Sequence, residues 1–352
     1  MRLLIINFRF LIWLGVAALI VVFVISDVAP AQEPGAAKSD TEVDFVEITP
    51  QLRRAVQRGL AYLASAQADD GSYGQRYGKH VGITALACLA FMADGNLPGR
   101  GRYGEQVQKG LKFVLDNARE SGLIAGPNTS HGPMYGHGFA TLFLAEIYGM
   151  TQDRRIREKL TKAVRMIVAT QNHEGGWRYQ PVPRNADLSV TICQIMALRA
   201  ARNSGVSVPG QTIERSITYV RRCQNSSDGG FRYMLRSGGS QFPRSAAGVA
   251  SLYYAGVYDD AALDKGLDYL MRQKVRGHSG GHYFYGHYYA VQATYLAGGE
   301  YWQKWFPWIR EQLLARQNAT GQWKSTQGED YGTAMALLIL QIPNRLLPIF
   351  QR

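Results

Sequence analysis

The sequence predicts an all-α fold, a closed (α/α)6 toroid built from six helical-hairpin repeats. Three observations lead to this prediction. A short Gly-x-aromatic turn recurs at spacings of 40 to 54 residues, an amphipathic segment of helix length precedes the turns, and a segment rich in small apolar residues follows them. A period of this size is typical of repeat architectures. No segment shows the alternation of apolar and polar residues that would predict a strand instead of these helices.

The recurring turn contains one or two glycines followed by an aromatic residue. Its clear copies are Gly71-Ser72-Tyr73, Gly175-Gly176-Trp177, Gly229-Gly230-Phe231, Gly280-Gly281-His282-Tyr283 and Gly321-Gln322-Trp323, and a weaker copy is Gly122-Leu123-Ile124. The positions taken as equivalent are Gly71, Gly122, Gly176, Gly230, Gly281 and Gly321. Six units on this register fill the chain.

Each unit is predicted to contain an outer helix and an inner helix. Leu52, Val56, Leu60 and Leu63 fall on one helical face, as in an outer helix with one buried side. The segments 82–92, 245–256 and 332–342 are apolar nearly all round, as in buried inner helices. An open solenoid needs polar capping repeats at its ends. Neither terminal unit is polar in this way, which favours closure into a ring.

Residues 58–63, followed by Gln67 and Asp70-Gly71-Ser72-Tyr73, resemble the QW repeat of triterpene cyclases and prenyltransferase β-subunits. The same order of Gln, Gly and aromatic residue recurs later in the chain. The further copies are Gln171 with Gly176-Trp177, Gln224 with Gly230-Phe231, Gln273 after Lys265-Gly266, and Gln317 with Gly321-Gln322-Trp323. The resemblance covers about residues 50 to 342. It implies an α/α-toroid whose repeat Gln and aromatic side chains are structural and whose cavity lies at the N-terminal ends of the inner helices.

The catalytic motifs of both families are missing. The sequence has no DxDD acid motif, and it predicts one ring where the cyclases have a second helical domain. The pairs Asp69-Asp70 and Asp259-Asp260 are predicted to lie at turns and do not form that motif. His287 is similar to the later zinc histidine of the prenyltransferases, but residues 243–247 stand where their Asp-x-Cys pair is expected. We therefore expect neither squalene cyclisation nor zinc-dependent prenylation, and we predict no cofactor and no metal site.

Aligning the inner helices by their small residues places six polar residues at equivalent starting positions: His80, His137, Asp187, Ser245, His287 and Asp330. Asp and Ser at such positions are good N-caps, which is one interpretation. Histidine is a less usual cap, so the alternative is a functional site at the mouth of the ring. The predicted catalytic residues are His137, Asp187, His287 and Asp330, arranged as two His-carboxylate dyads on adjacent helices.

The predicted ligand-binding residues are His80, Arg244, Ser245, Tyr135 and Tyr285. Helix N-termini that converge on one mouth favour an anionic group, for which Arg244 is the natural partner. His278, His282 and His287 form a separate cluster, for which a metal site is one interpretation. Because this segment is rich in glycine and lacks a nearby acid or thiol, solvent-facing or stacking roles are favoured. Cys88, Cys193 and Cys223 have no CxxC spacing and are expected to be free thiols.

The formal net charge is +12, but the basic residues are scattered through the helices. Nucleic acid is therefore not an expected partner, whereas anionic lipid or polymer is compatible. Arg2 and Arg9, an apolar run over residues 10–25 and Ala29-Pro30-Ala31 together indicate a signal peptide. The predicted organisation is a signal peptide (1–31), a linker (32–49) and the toroid (50–352). The protein is expected to be exported to the periplasm or secreted. The alternative is that the leader is not cleaved and anchors the protein to the membrane, which is the only membrane contact expected.

Three functions remain open at this stage. The first is a binding protein for an amphiphilic, isoprenoid-like or anionic small molecule, or a glycan fragment, in the central cavity. The second is a lyase, hydrolase or cyclase-like enzyme that uses the dyads. The third is an envelope scaffold that contacts other proteins through its outer helices. An open pocket favours the first two functions, and a plugged centre favours the third.

Overall fold

The computed structural model describes residues 48–276 and 282–351, which form twelve α-helices and two short 3-10 helices. The helices are α1 Pro50–Ala66, α2 Val81–Met92, α3 Gly104–Asp116, α4 Met134–Thr151, α5 Arg154–Ala169, α6 Leu188–Asn203, α7 Gly210–Cys223, α8 Phe242–Tyr254, α9 Ala261–Arg276, α10 Tyr283–Ala297, α11 Gly299–Arg316 and α12 Glu329–Leu340. Only isolated bridges, and no sheet, occur within the described ranges. The predicted all-α class is confirmed. The predicted leader, nearly all of the linker, His278 and Gly280-Gly281 lie outside the described residues.

The odd-numbered helices are the outer helices and the even-numbered helices are the inner ones. Every residue of α2 is buried, because small and branched apolar side chains surround this helix on all sides. In α1 the predicted stripe of Leu52, Val56, Leu60 and Leu63 is buried while the opposite face is polar. The two sequence patterns thus become two concentric layers.

The inner helices contact one another in chain order, from α2 through α4, α6, α8 and α10 to α12, and α12 returns to contact α2. The outer helices α3, α5, α7, α9 and α11 each pack against the inner helix that precedes them. Among the described residues α1 has no preceding inner helix, and it packs against α12. The series of contacts is therefore closed.

The repeat turns explain how neighbouring units join. Gly71, Gly122, Gly175, Gly229 and Gly321 all have a φ between 79° and 100°. A Cβ at Gly175 would lie 2.1 Å from the Arg215 carbonyl oxygen of α7, and the other four glycines approach the next outer helix in the same way. Only glycine fits such a position.

These φ values correct the predicted register by one residue in two units. The position equivalent to Gly71 is Gly175 rather than Gly176, and Gly229 rather than Gly230, because the first glycine of each pair adopts the left-handed conformation.

Four repeat glutamines connect their turns to the following outer helix. Gln67 donates to the carbonyls of Gly71 at 3.0 Å and Gln106 at 2.9 Å. Gln171, Gln224 and Gln317 make the equivalent pairs of bonds. The last of them reaches Ala55 in α1, so the sixth unit joins the first in the same way as the first, third and fourth units join their successors.

The C-terminal residues cover the end of the ring where the inner helices finish. The Gln341 side-chain amide donates to the Ala90 carbonyl at 3.0 Å, and the Ile349 backbone amide donates to a carboxyl oxygen of the buried Glu146 at 3.2 Å. The 3-10 helix Pro348–Phe350 packs against α4 and α6. Within the described ranges, no helix combines the length and apolar character that crossing a bilayer requires.

Candidate ligand-binding cavity

A cavity of about 420 Å³ opens at the N-terminal ends of the inner helices. Its wall contains one tyrosine from each of the six units: Tyr77, Tyr135, Tyr179, Tyr233, Tyr285 and Tyr331. Deeper along the inner helices the lining becomes apolar, with Ile83, Leu86 and Phe139. The cavity thus has an aromatic, hydroxyl-bearing wall above an apolar floor.

The repeat places these tyrosines. Tyr135, Tyr285 and Tyr331 are the second or third residues of α4, α10 and α12, where side chains in the first helical turn face the opening. Tyr179 and Tyr233 each follow the turn aromatic by two residues. Sequence analysis found Tyr135 and Tyr285 but missed the other four. For Tyr179 and Tyr233, the shared offset of two residues from the turn aromatic was the signal that it overlooked.

Four of the five predicted ligand-binding residues line the cavity: His80, Arg244, Tyr135 and Tyr285. The fifth, Ser245, is absent from the lining, and its buried hydroxyl accepts a hydrogen bond from the Phe231 amide at 2.8 Å. This bond joins α8 to its own repeat turn. Ser245 is therefore a structural contact rather than a wall residue.

His80 is both the N-cap of α2 and a wall residue. Its Nδ1 accepts hydrogen bonds from the amides of Gly82 at 3.1 Å and Ile83 at 3.4 Å. Burial lowers the pKa of His80 to about 4, so the ring is neutral near pH 7. Because Nδ1 is the acceptor, the proton sits on Nε2. The ring thus offers the cavity a fixed N–H donor.

Arg244 provides the positive charge of the cavity. Its guanidinium lies 5.8 Å from the centre of the Tyr233 ring and has no carboxylate partner within the described ranges. Burial lowers its pKa, although arginine stays protonated in proteins. No Asp or Glu belongs to the described part of the lining. The wall is therefore cationic and hydrogen-bonding, with no opposing negative charge.

The inner-helix termini add to this potential. The helices α4, α8, α10 and α12 have no side-chain hydrogen bond at their N-caps. Their first amides point along the helix axes toward the opening, and the helix dipole makes these ends partially positive. At α4 and α12 the first amide already has a partner, since Met134 donates to the Tyr179 carbonyl at 3.2 Å and Glu329 donates to the Gln75 side chain at 2.9 Å. An anionic group is the chemistry that this end of the ring favours.

The four predicted catalytic residues are not part of the cavity lining, and their predicted alignment is wrong for several units. The amide of each turn aromatic donates to one inner-helix side chain: Tyr73 to Thr84, Trp177 to Thr191, Phe231 to Ser245 and Trp323 to Thr333. In the second unit Ile124 donates to His137. His137 is therefore equivalent to Thr84 and not to His80. The error arose because residues four apart share one face of a helix.

The two predicted dyads are absent from the described hydrogen bonds. Asp330 accepts from the amides of Gly74 at 2.7 Å, Gln75 at 2.9 Å and Tyr331 at 2.8 Å, which ties α12 to the first repeat turn. His287 lies instead among aromatic rings, with Tyr283 at 4.4 Å and Phe242 at 4.8 Å between ring centres. Hydrogen bonds to backbone amides thus account for the burial of Asp330, and packing against aromatic rings accounts for the burial of His287.

Asp187 and His137 also have separate partners. One Asp187 oxygen accepts from the Val190 amide at 3.0 Å as the N-cap of α6, and the other lies 3.7 Å from Arg178 Nε. The His137 Nδ1 accepts from the Ile124 amide at 3.1 Å, and burial lowers the pKa of this histidine to about 4. Both residues hold the ends of their own repeat units together.

The fold was compared with known proteins. The type II terpene cyclase MstE from Scytonema, in complex with geranylgeranyl dihydroxybenzoate, has a TM-score of 0.56 and 14% identity over 84% of this chain and 98% of that chain. The α-1,6-mannanase GH76A of Salegentibacter sp. HEL1_6 has a TM-score of 0.65 and 8% identity over 84% and 99%. Cellobiose 2-epimerase from Bacillus thermoamylovorans B4167 has a TM-score of 0.62 and 12% identity over 83% and 98%. The chain has the α/α-toroid fold.

This likeness confirms the predicted α/α-toroid fold, and at such identities it concerns the fold alone. No protein-family model and no curated protein sequence matches the chain. The neighbours act on unlike substrates. What the toroid binds must therefore be argued from its own cavity.

One predicted catalytic residue is linked to the cavity of the toroid through tyrosines. Burial raises the pKa of Asp187 to about 6, while the Val190 amide, Arg178 and the Tyr233 hydroxyl lower it in part. The Tyr233 hydroxyl contacts the Tyr179 hydroxyl, and both tyrosines belong to the wall. Asp187 thus lies behind a pair of phenols that face the opening.

The described residues contain no group of three or more His, Cys, Asp or Glu side chains placed to hold a metal ion. Of the histidine cluster, His282 lines the cavity and His287 is buried among aromatic rings, whereas His278 is outside the described ranges. The three cysteines are free and buried.

Proposed function

We propose that the toroid binds an amphiphilic small molecule with one anionic group in its central cavity. The observation that carries this proposal is Arg244, a cation in an aromatic wall with no carboxylate partner among the described residues. Its guanidinium pairs with the anionic group, and the body of the ligand extends toward the apolar floor of Ile83, Leu86 and Phe139. The open cavity supports a ligand over a purely scaffolding role. The ligand of the neighbour MstE, a geranylgeranyl dihydroxybenzoate, supports an isoprenoid-like class.

The test uses a matched pair of probes, farnesyl monophosphate and neutral farnesol, measured by isothermal titration calorimetry. We expect the monophosphate to bind more tightly than farnesol. Arg244→Gln should weaken binding of the monophosphate by roughly 10- to 100-fold, which corresponds to the loss of a charge-assisted hydrogen bond, and should leave farnesol nearly unaffected. Arg184→Gln, at an exposed arginine outside the cavity lining, is the control. Equal binding of the monophosphate by Arg244→Gln and the parent protein would contradict the proposal.

A second candidate function is acid–base catalysis on the bound molecule, which the raised pKa of Asp187 behind Tyr233 and Tyr179 favours. In this candidate Tyr179 and Tyr233 contact the ligand, and Asp187 acts through them. Small molecules that co-purify with the protein, identified by mass spectrometry, provide the substrate for the test. Asp187→Asn should then remove turnover while retaining binding, and the parent rate should change with pH near 6. A turnover rate that Asp187→Asn leaves unchanged would exclude this role.

We also propose that the toroid works outside the cytoplasm, because its sequence begins with basic, apolar and small-residue regions in the order of a signal peptide. Cleavage after Ala31 is expected. N-terminal sequencing of protein from the envelope fraction should begin at Gln32. A start at Met1 would indicate an uncleaved anchor instead.

A further inference from the structure

A second concave site lies on the outer wall of the toroid, separate from the central cavity. It is a groove of about 520 Å³ between α5 and residues 205–209, which connect α6 to α7. Val164 and Val206 are buried at its floor, and Arg157 and Arg165 stand at its edge, exposed. The groove therefore has an apolar floor and two positively charged side chains at its edge.

The charge of this region exceeds what its own carboxylates neutralise. The helix α5 contains six basic residues and one acidic residue. Arg155 pairs with Asp153, and Lys159 and Lys162 both pair with Glu120. Within the described ranges, neither Arg157 nor Arg165 forms an ion pair, so both guanidinium groups remain available.

The spacing along the groove restricts what can fill it. Arg157 and Arg165 are eight residues apart on one face of α5, which corresponds to about 12 Å along the helix axis. An extended peptide rises about 3.3 Å per residue, so side chains four residues apart are about 13 Å apart and point the same way. Two carboxylates at that spacing reach both arginines. The residue midway between them then faces the apolar floor.

The opposite wall of the groove belongs to no helix or strand. Val206 donates to Ala201, but the described residues Ser207 and Val208 form no backbone–backbone hydrogen bond. Such an open edge can pair with the backbone of an extended segment. This edge and the two arginines thus favour the same kind of occupant.

We propose that this groove is a docking site for an extended acidic segment of a partner protein, with two carboxylate residues four positions apart and an apolar residue between them. The arginines bind the carboxylates, Val164 and Val206 contact the apolar side chain, and Ser207 pairs with the backbone of the segment. The proposal concerns the outer wall only. It does not depend on ligand binding in the central cavity.

The test measures fluorescence anisotropy with the synthetic peptide Ser-Thr-Glu-Thr-Leu-Thr-Glu-Thr-Ser carrying fluorescein. Its isomer Ser-Thr-Glu-Glu-Leu-Thr-Thr-Thr-Ser has the same charge with the wrong spacing. We expect the first peptide to bind more tightly, and the double variant Arg157→Glu/Arg165→Glu to weaken it by about tenfold or more through the loss of two exposed ion pairs. The control is Arg53→Glu/Arg54→Glu on α1, an equal charge change at exposed arginines elsewhere, which should leave the affinity within about twofold.

A further variant, Ser207→Pro, removes the amide at the open edge and should also weaken the peptide. Thermal melts establish that each variant is folded. The proposal is overturned if the two peptides bind equally, if both double variants weaken binding to the same extent, or if the groove variant binds as the parent does. Vesicles of phosphatidylglycerol form a separate arm. If they bind through the two groove arginines while the peptide does not bind, the partner is a lipid surface and the proposal is wrong.

Discussion

At the scale of single residues, one repeat position shows how different side chains satisfy the same need. In four units a Thr or Ser hydroxyl accepts the amide of the turn aromatic, at Thr84, Thr191, Ser245 and Thr333. In the second unit the acceptor is His137 Nδ1. A histidine at this position needs no catalytic explanation, because the buried amide of Ile124 requires an acceptor in any case.

His137→Ala should therefore lower the free energy of unfolding by about 1 to 3 kcal/mol, since it leaves the buried Ile124 amide without a partner. His137→Thr restores the hydroxyl that other units use and should recover part of that loss. Urea unfolding of the two variants measures the difference. Loss of ligand binding in His137→Ala with unchanged stability would instead favour the functional role first predicted for this histidine.

Glu146 gives a prediction about pH. Burial raises its pKa to about 8, although the hydrogen bond from the Ile349 amide opposes this shift. An unfolded glutamate ionises near pH 4.3, so the folded state retains a proton that the unfolded state releases. The contribution of Glu146 to stability is fully present below about pH 4.3 and is lost as the pH rises through about 8. Stability should fall by a few kcal/mol between pH 5 and pH 9.

Glu146→Gln removes the titrating group and keeps an acceptor for Ile349. In this variant the loss of stability between pH 5 and pH 9, measured by urea unfolding, should be much smaller than in the parent. The exposed Glu158→Gln serves as the control and should behave as the parent does. An equal loss in the parent and Glu146→Gln would show that another group controls the pH dependence.

Residue identities alone located only part of the cavity wall. Arg244 was predicted because helix N-termini that converge on the mouth favour an anionic group. The acceptors of turn amides and the N-caps, in contrast, are polar for structural reasons. A sequence shows a polar residue at a helix start but not whether it faces the cavity or the neighbouring turn. Positions four apart lie on nearly the same face of a helix, so the alignment of His80 with His137 looked acceptable.

At the scale of elements, the Gly-aromatic turn is the feature that the sequence predicted best. Its glycine repeats because the left-handed backbone and the close approach to the next outer helix both exclude a side chain. In the paired turns, such as Gly175-Gly176, either glycine fits the pattern. Only the backbone angles identify the first one as the required position.

Gly175→Ala tests which of the two constraints dominates. Its φ is 100° and its Cβ would lie 2.1 Å from the Arg215 carbonyl oxygen, so both strain and collision should lower stability. Gly205 has a φ of 90° with no atom within 4 Å of an added Cβ, and Gly205→Ala therefore isolates the strain. We expect about 1 kcal/mol for Gly205→Ala and at least about twice that for Gly175→Ala. Equal losses of stability for the two variants in thermal melts would mean that the structure adjusts to the added Cβ at residue 175 without a further loss of stability.

At the scale of the whole molecule, the ring differs from an open solenoid at a single junction, where the sixth unit meets the first. The sequence predicted closure from the apolar character of the terminal units. The contacts at that junction repeat those found elsewhere: Gly321 packs on Arg58, as Gly175 packs on Arg215, and Asp330 adds bonds to the amides of Gly74 and Gln75. Which side chains form the junction was beyond the sequence pattern, because Asp330 lies about 255 residues from its partners.

The closed ring predicts that the junction contributes as much stability as an internal one. Gln317 donates to the carbonyls of Gly321 and Ala55, both at 2.8 Å, and Gln171 donates to those of Gly175 and Thr212, both at 2.9 Å. Gln317→Ala and Gln171→Ala should therefore each lower the free energy of unfolding by about 1 to 3 kcal/mol, because each leaves two carbonyls short of a donor. Urea unfolding with matched m-values measures both losses. In an open solenoid Gln317 would lie at a frayed end, and its replacement would cost almost nothing while Gln171→Ala kept its full effect.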